Sequence, residues 1–230
     1  MRAIDFIKQL EQNAEYVKQQ QEKEKKMNEK ASELKIIEEP FINDLNSNGI
    51  HNIKNGGDLL RLKKIDDKLA KLLLIWIPKI DDKYNFKEIL IRALAVSEGL
   101  IDGAILMQLF DNEETSPSLK WAIGNTIACA NVKDVSTWLQ KKFTALKVGK
   151  EHEMLVYALV KYLDHRKACE ILRRIFDTYP LQAADAFSMI GDYVDLKYLE
   201  NQSDNYNKEL RTGINKSIKK LKARLSRNSR

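Results

Sequence analysis

The chain has 230 residues and a net charge of +6, with 43% hydrophobic and 31% charged side chains. These proportions are typical of a folded protein with a sizeable core and a densely charged surface. Tight β-turns depend on glycine and proline, and the chain holds only nine glycines and four prolines. The composition therefore argues against a turn-rich β fold and favours long helices joined by short connections.

No stretch of the sequence resembles a secretion or membrane signal. Residues 1–17 contain five charged side chains, unlike a signal peptide. The longest apolar run, Leu72–Ile77, is far shorter than the roughly 20 residues that cross a bilayer. Cys129 and Cys169 fall within apolar helical patterns, which predicts buried, reduced thiols and no disulfide framework. We expect a cytoplasmic protein without a membrane partner.

Taken in chain order, the first predicted element is a long helix over Ala3–Leu34. Its first half has one apolar stripe, whereas residues 18–30 alternate in charge and have almost nothing to bury. Two interpretations stay open: a solvated helical spacer, or a surface over Ile4–Val17 that docks a partner or a second copy of the chain. We predict a partly solvated helical extension at residues 1–40 and a repeat domain at residues 41–230. The stripe consists of Ile4, Ile7, Leu10, Ala14 and Val17.

The next stretch is weakly patterned, and from Asp66 onward helices recur in pairs. Gly49 and Gly56-Gly57 predict turns, and a short helix is predicted over Asp58–Leu62. Pro78 ends a predicted helix, since proline cannot continue it comfortably. The predicted pairs are Asp67–Ile77 with Phe86–Leu100, Asp102–Phe110 with Ser116–Ala130, Asp134–Leu146 with Glu151–Leu163, and Arg166–Tyr179 with Leu181–Gly191, followed by a last helix over Tyr206–Leu225.

One alanine recurs at the same place in each second helix of these pairs, flanked by large side chains. Successive alanines lie 29, 36 and 28 residues apart. Small residues at one register let neighbouring helices approach closely, and recurrence at a near-fixed period is typical of a solenoid. The alanines are Ala93, Ala122, Ala158 and Ala186.

The stretch ADAFSMIGDYVDLKYLE, Ala184–Glu200, resembles the turn of HEAT-like repeats, in which a second helix ends and the next first helix begins. The short periods are similar to those of the compact bacterial type. This resemblance implies an all-α fold, a right-handed α-α superhelix of about four to five helical hairpins whose second helices line the inner curve. Gly191 is expected to take the left-handed conformation that ends a helix, and Asp192 to cap the following turn.

Superposing the second helices on their alanines predicts a row of side chains suited to binding. Arginine, tryptophan and tyrosine dominate binding hot spots, and residues four positions apart share a helix face. We therefore predict a protein or peptide partner at this row. The alternative is that Trp121 and Tyr157 simply pack between repeats. The candidate contact residues are Arg92, Trp121, Asn125, Tyr157, Lys161 and Asp185.

The basic excess is confined to the C-terminus. Residues 206–230 hold nine basic side chains and one acidic one, so the preceding part is slightly acidic. Such a helix either contacts phosphates of a nucleic acid or caps the array with a solvated outer face, and we favour the cap. The side chains that would meet an anionic partner are Lys216, Lys219, Lys220, Lys222 and Arg224.

Catalytic, cofactor and metal motifs are not predicted. We interpret the three histidines, His51, His152 and His165, as scattered and without a histidine or cysteine at ligand spacing, which argues against a zinc site. Some HEAT-like proteins are DNA glycosylases, but Asn125 stands where that resemblance would want a carboxylate. We expect a non-enzymatic, protein-binding adaptor or scaffold. The alternatives are a nucleic-acid binder or glycosylase-type repair protein, and an immunity-type inhibitor of a toxin.

Overall fold

The computed structural model describes residues 13–81, 83–144 and 149–228. These residues form twelve α-helices and two very short strands, which confirms the predicted all-α class. The strands are β1, Leu100–Ile101, and β2, Asn131–Val132. The helices are α1 Ala14–Ser47, α2 Gly56–Leu60, α3 Asp67–Trp76, α4 Phe86–Leu94, α5 Ala104–Asp111, α6 Pro117–Cys129, α7 Val135–Thr144, α8 Leu155–Tyr162, α9 His165–Arg174, α10 Pro180–Ile190, α11 Tyr193–Ser203 and α12 Lys208–Asn228.

The contacts divide the chain into two compact units. Unit 1 comprises residues 1–61 and 79–89, and unit 2 comprises residues 62–78 and 90–230. Within the described residues, no helix is both long and apolar enough to cross a membrane.

In unit 1, helix α1 extends further than predicted. It continues past Leu34 and through Pro40 to Ser47, so the boundary predicted at residue 40 falls inside this helix. Proline removes a backbone donor, but Phe41 and Leu45, one turn apart, are fully buried. Their burial, with Phe41 packed edge-on against Phe86 at 5.8 Å, holds the last turns in helical form.

The N-terminal part of α1 has a different character. All side chains from Lys18 to Glu33 are exposed. The predicted stripe over Ile4–Leu10 lies outside the described residues. Gly49 has the positive φ of a turn, whereas the turn predicted at Gly56-Gly57 was wrong, because these glycines begin α2 behind the cap Asn55.

Unit 2 contains successive helix pairs. The first helices are α3, α5, α7, α9 and α11, and the second helices are α6, α8, α10 and α12, preceded by the end of α4. Helix α6 contacts α8, α8 contacts α10, and α10 contacts α12. The four register alanines, Ala93, Ala122, Ala158 and Ala186, are all 0–1% exposed. Each of these positions is therefore part of the helix packing, as their recurrence predicted.

The segments between pairs, here called connectors, follow each second helix. Helix α4 ends at Leu94 and not at Leu100, because Leu100–Ile101 pairs in parallel with Asn131–Val132 of the next connector. Ile65 and Ser97 form a similar parallel bridge one step earlier. Like segments of successive pairs thus lie side by side.

Helix α11 lies between the fourth predicted helix pair and the last predicted helix, and its bounds were not predicted. Asp192 caps it as predicted, in a capping box with Asp195. The left-handed conformation predicted for Gly191 was wrong, since its φ is −56°. Glycine is required there for space, because a Cβ would lie 2.7 Å from the Phe187 carbonyl oxygen and 3.0 Å from the Asp195 Cβ.

The two cysteines differ in environment. Cys169 is buried on α9, as predicted, but Cys129 is exposed at the end of α6. The prediction that both thiols are buried was wrong for Cys129, since the apolar pattern of α6 faces the core on other sides of the helix.

Candidate functional site

The row of side chains predicted on the second helices is called here the second-helix ridge, comprising Arg92, Trp121, Tyr157 and Asp185. All four are partly exposed. The Arg92 guanidinium lies 5.1 Å from the centre of the Trp121 ring, a cation–π contact between α4 and α6. This contact fixes two long side chains next to each other at the surface of unit 2.

The other half of the ridge comprises Tyr157 and Asp185, which lie near each other. Burial raises the pKa of Tyr157, and the nearby carboxylates of Asp185 and Glu153 raise it further. The Asp185 carboxylate lies 2.7 Å from the Lys220 ammonium of α12. Helix α12 therefore adds a fifth member to the row of second helices.

Two further candidates, Asn125 and Lys161, lie one turn along from Trp121 and Tyr157. The Lys161 ammonium donates to the carbonyl oxygens of Cys129 and Ala130 at 2.9 and 2.7 Å. These carbonyls end α6, so Lys161 acts as a cap on the negative end of that helix. Burial lowers the pKa of Lys161. Lys161 therefore stabilises the packing of α8 on α6.

The basic residues of α12 also have internal partners. Lys220 pairs with Asp185, and the Lys222 ammonium lies 2.6 Å from a Glu200 carboxylate oxygen. Arg224 donates to the carbonyl oxygens of Ser188, at 3.2 Å, and of Gly191, at the end of α10. Lys216 and Lys219 are exposed. Three of the five residues predicted to meet an anionic partner thus have partners on α10, on α11 or in the turn between them.

A second group of side chains was missed by the sequence analysis. His165, Cys169 and Asp195 converge between α9 and α11, with their ligand-type atoms all within 4.8 Å of one another. Histidine and cysteine four residues apart share one helix face, and this spacing is the signal that would have paired them. The statement that His165 lacks a cysteine at ligand spacing was therefore wrong.

The Asp195 carboxylate organises this group. It is fully buried and accepts from Arg173, from the Cys169 thiol at 3.4 Å and from the Asp192 backbone N–H at 2.9 Å. Burial, reinforced by the Asp195 charge, raises the pKa of Cys169 to about 12. His165 Nε2 lies 3.7 Å from the Cys169 sulfur.

Comparison with protein-family models, with curated protein sequences and with solved structures found no match for this chain. The resemblance to HEAT-like repeats is a hypothesis carried by the residues and contacts described above.

Proposed function

We propose that the chain is a non-enzymatic adaptor whose second-helix ridge binds a protein or peptide partner. The proposal includes a HEAT-like superhelical stacking of the helix pairs in unit 2. Its main support is the Arg92–Trp121 contact, which presents an aromatic ring and a guanidinium together at the surface.

Regular packing along unit 2 supports the stacking. Successive second helices contact each other, and the Thr126 hydroxyl donates to the Ile91 carbonyl at 2.7 Å, linking α6 to the end of α4. The parallel pairing of β1 with β2 supports a translational repeat, because two successive helix pairs there present the same edge to each other. A stack of this kind displays equivalent positions as a continuous surface.

The chemistry of the ridge supports a protein partner over a nucleic acid. Aromatic rings and arginine offer large contact area with few rotatable bonds, and they dominate protein-binding hot spots. Asp185 would repel a phosphate backbone, and Lys220 is already paired with it. A ridge with both signs of charge and two aromatic rings fits a mixed polypeptide surface better.

The test compares partner recovery by the wild-type chain and by a Trp121→Ala, Tyr157→Ala double variant. Both would be used as bait in cells of the native host, with crosslinking and quantitative mass spectrometry. Loss of two hot-spot aromatics should lower recovery of the specific partner about tenfold or more. Circular dichroism would show whether the double variant keeps its helices.

A matched control is Ile75→Ala on α3, which removes an apolar side chain that is 50% exposed and outside the ridge. It should recover partners as the wild type does. If the double variant loses helicity, Arg92→Gln removes the guanidinium with little change in helix propensity. Equal recovery by wild type and folded ridge variants contradicts the proposal.

Filter binding with duplex and single-stranded nucleic acid at about 50 mM salt tests the alternative that the chain binds nucleic acid. We expect no retention. Retention that falls steeply with salt, and that is lost on Lys216→Gln with Lys219→Gln, would instead identify a nucleic-acid binder that uses α12.

A further inference from the structure

We propose that His165, Cys169 and Asp195 form a zinc site that joins first helices α9 and α11. The site does not depend on the second-helix ridge or on its partner. The three side chains supply an imidazole nitrogen, a thiolate sulfur and a carboxylate oxygen, the ligand types that zinc takes in proteins.

The distances match a tetrahedral ion. Zinc–sulfur bonds of about 2.3 Å and zinc–nitrogen or zinc–oxygen bonds of about 2.0 Å place neighbouring ligand atoms about 3.5 Å apart. The Cys169 sulfur lies 3.4 Å from Asp195 Oδ2 and 3.7 Å from His165 Nε2. Two of the three distances between ligand atoms are therefore close to those around a zinc ion, and the third, between His165 and Asp195, is within 4.8 Å.

The Asp195 carboxylate is oriented for this task. Arg173 bonds to Oδ1, whereas Oδ2 faces the Cys169 sulfur and also accepts from the Asp192 backbone N–H at 2.9 Å, which leaves it one lone pair for an ion. Metal-binding carboxylates are commonly held by such a hydrogen bond on the oxygen that does not bind the metal. Gly191 keeps the turn close, since a side chain there would meet Asp195.

The surrounding charges balance. A divalent ion with the Cys169 thiolate and the Asp195 carboxylate is neutral, and Arg173 adds one positive charge. The Asp192 carboxylate offsets it and is held beside the site, because it accepts from the Asp195 backbone N–H at 3.0 Å. On binding, the Cys169 thiol proton passes to solvent as the zinc–sulfur bond forms.

A cysteine–aspartate hydrogen bond alone would explain Cys169 and Asp195 but not His165. The histidine is exposed, yet its Nε2 is directed at the sulfur one turn along α9. Thiolate and imidazole favour zinc over magnesium or calcium, which prefer all-oxygen sites. His165 also gives the site a solvent-facing side, where a water molecule would complete four-fold coordination.

The experiment uses the full chain carrying Cys129→Ser, so that the exposed thiol makes no contribution. After treatment with a chelator, the protein is titrated with Co²⁺ as a spectroscopic probe and then with Zn²⁺. One equivalent of Co²⁺ should give a thiolate-to-cobalt charge-transfer band that Zn²⁺ removes. Zinc should also raise the melting temperature, because it binds only the folded site.

Two variants test the ligands separately. Cys169→Ser and His165→Ala should each weaken zinc affinity about 100-fold or more, whereas His51→Gln should leave it unchanged. His165 is exposed, so its variant keeps the fold even if Cys169→Ser does not. The proposal fails if one equivalent of Co²⁺ gives no charge-transfer band, or if His165→Ala binds zinc within about threefold of its parent.

Discussion

The connectors of unit 2 are held together in two ways, depending on their position in the chain. In the region before residue 133, connectors pair backbone to backbone, as in Ile65 with Ser97 and β1 with β2. From helix α8 onward, side chains make the links, and the first of them reaches back to the connector before α7. The Tyr162 hydroxyl donates to the Ala130 carbonyl at 2.7 Å and accepts from the Val132 N–H at 2.8 Å, and Arg224 contacts Gly191.

Connector length explains this difference. Nine residues separate α4 from α5 and five separate α6 from α7, but only two separate α8 from α9 and α10 from α11. The two short connectors are Leu163-Asp164 and Gly191-Asp192, each a residue that leaves one helix and an aspartate that caps the next. No residue is left over for an extended pair, so side chains bridge successive helix pairs.

Tyr162→Phe tests the side-chain region and should have a larger effect than the His152, Leu100 and Asn131 variants below. Removing the hydroxyl leaves the Val132 N–H and the Ala130 carbonyl each without one partner, which should lower the free energy of unfolding by about 1–3 kcal/mol. Chemical denaturation followed by circular dichroism measures it. Tyr193→Phe is the matched control, because Tyr193 is 58% exposed and should change little. Equal stability of both variants would show that Tyr162 does not bridge the connectors.

The same residues show which features of the fold can be predicted from the sequence alone. The register alanines were found because burial of a small residue repeats with the helix pairs, and Asp192 was found because a cap depends on local spacing. The two-residue connectors and β1 were not found, since the choice between a longer helix and an extended pair at Leu100 depends on a segment 31 residues away. His165 and Asp195 were missed because their meeting depends on how α9 packs on α11.

The buried ring of His152 should make the stability of unit 2 depend on pH. Its ring packs edge-on against Phe110 at 5.2 Å and Phe143 at 6.1 Å, at the ends of α5 and α7. Burial lowers the pKa of His152 from its ordinary value of 6.5, although Glu151 nearby opposes the shift. The unfolded chain therefore binds more protons, so this contribution to stability is complete above pH 6.5 and is lost as the pH falls below it.

The measurement is the melting temperature of wild type and His152→Gln between about pH 5 and pH 8, with chelator present. The wild type should lose stability on acidification more steeply than the variant. Parallel pH profiles would mean that His152 is not held neutral by its packing.

The smallest change in stability is expected when a side chain is shortened where connectors pair through their backbones. Leu100 and Asn131 face each other in the parallel pair and both side chains are exposed, so Leu100→Ala and Asn131→Ala should each change the free energy of unfolding by less than about 0.5 kcal/mol. Lys133→Pro is the informative counterpart, because it removes the N–H that donates to the Ile101 carbonyl at 3.0 Å. This substitution should lower the free energy of unfolding by about 1–3 kcal/mol, although the Lys133 side chain is exposed. If the alanine variants were as damaging as the proline, side chains would link both regions, and connector length would not explain the difference between them.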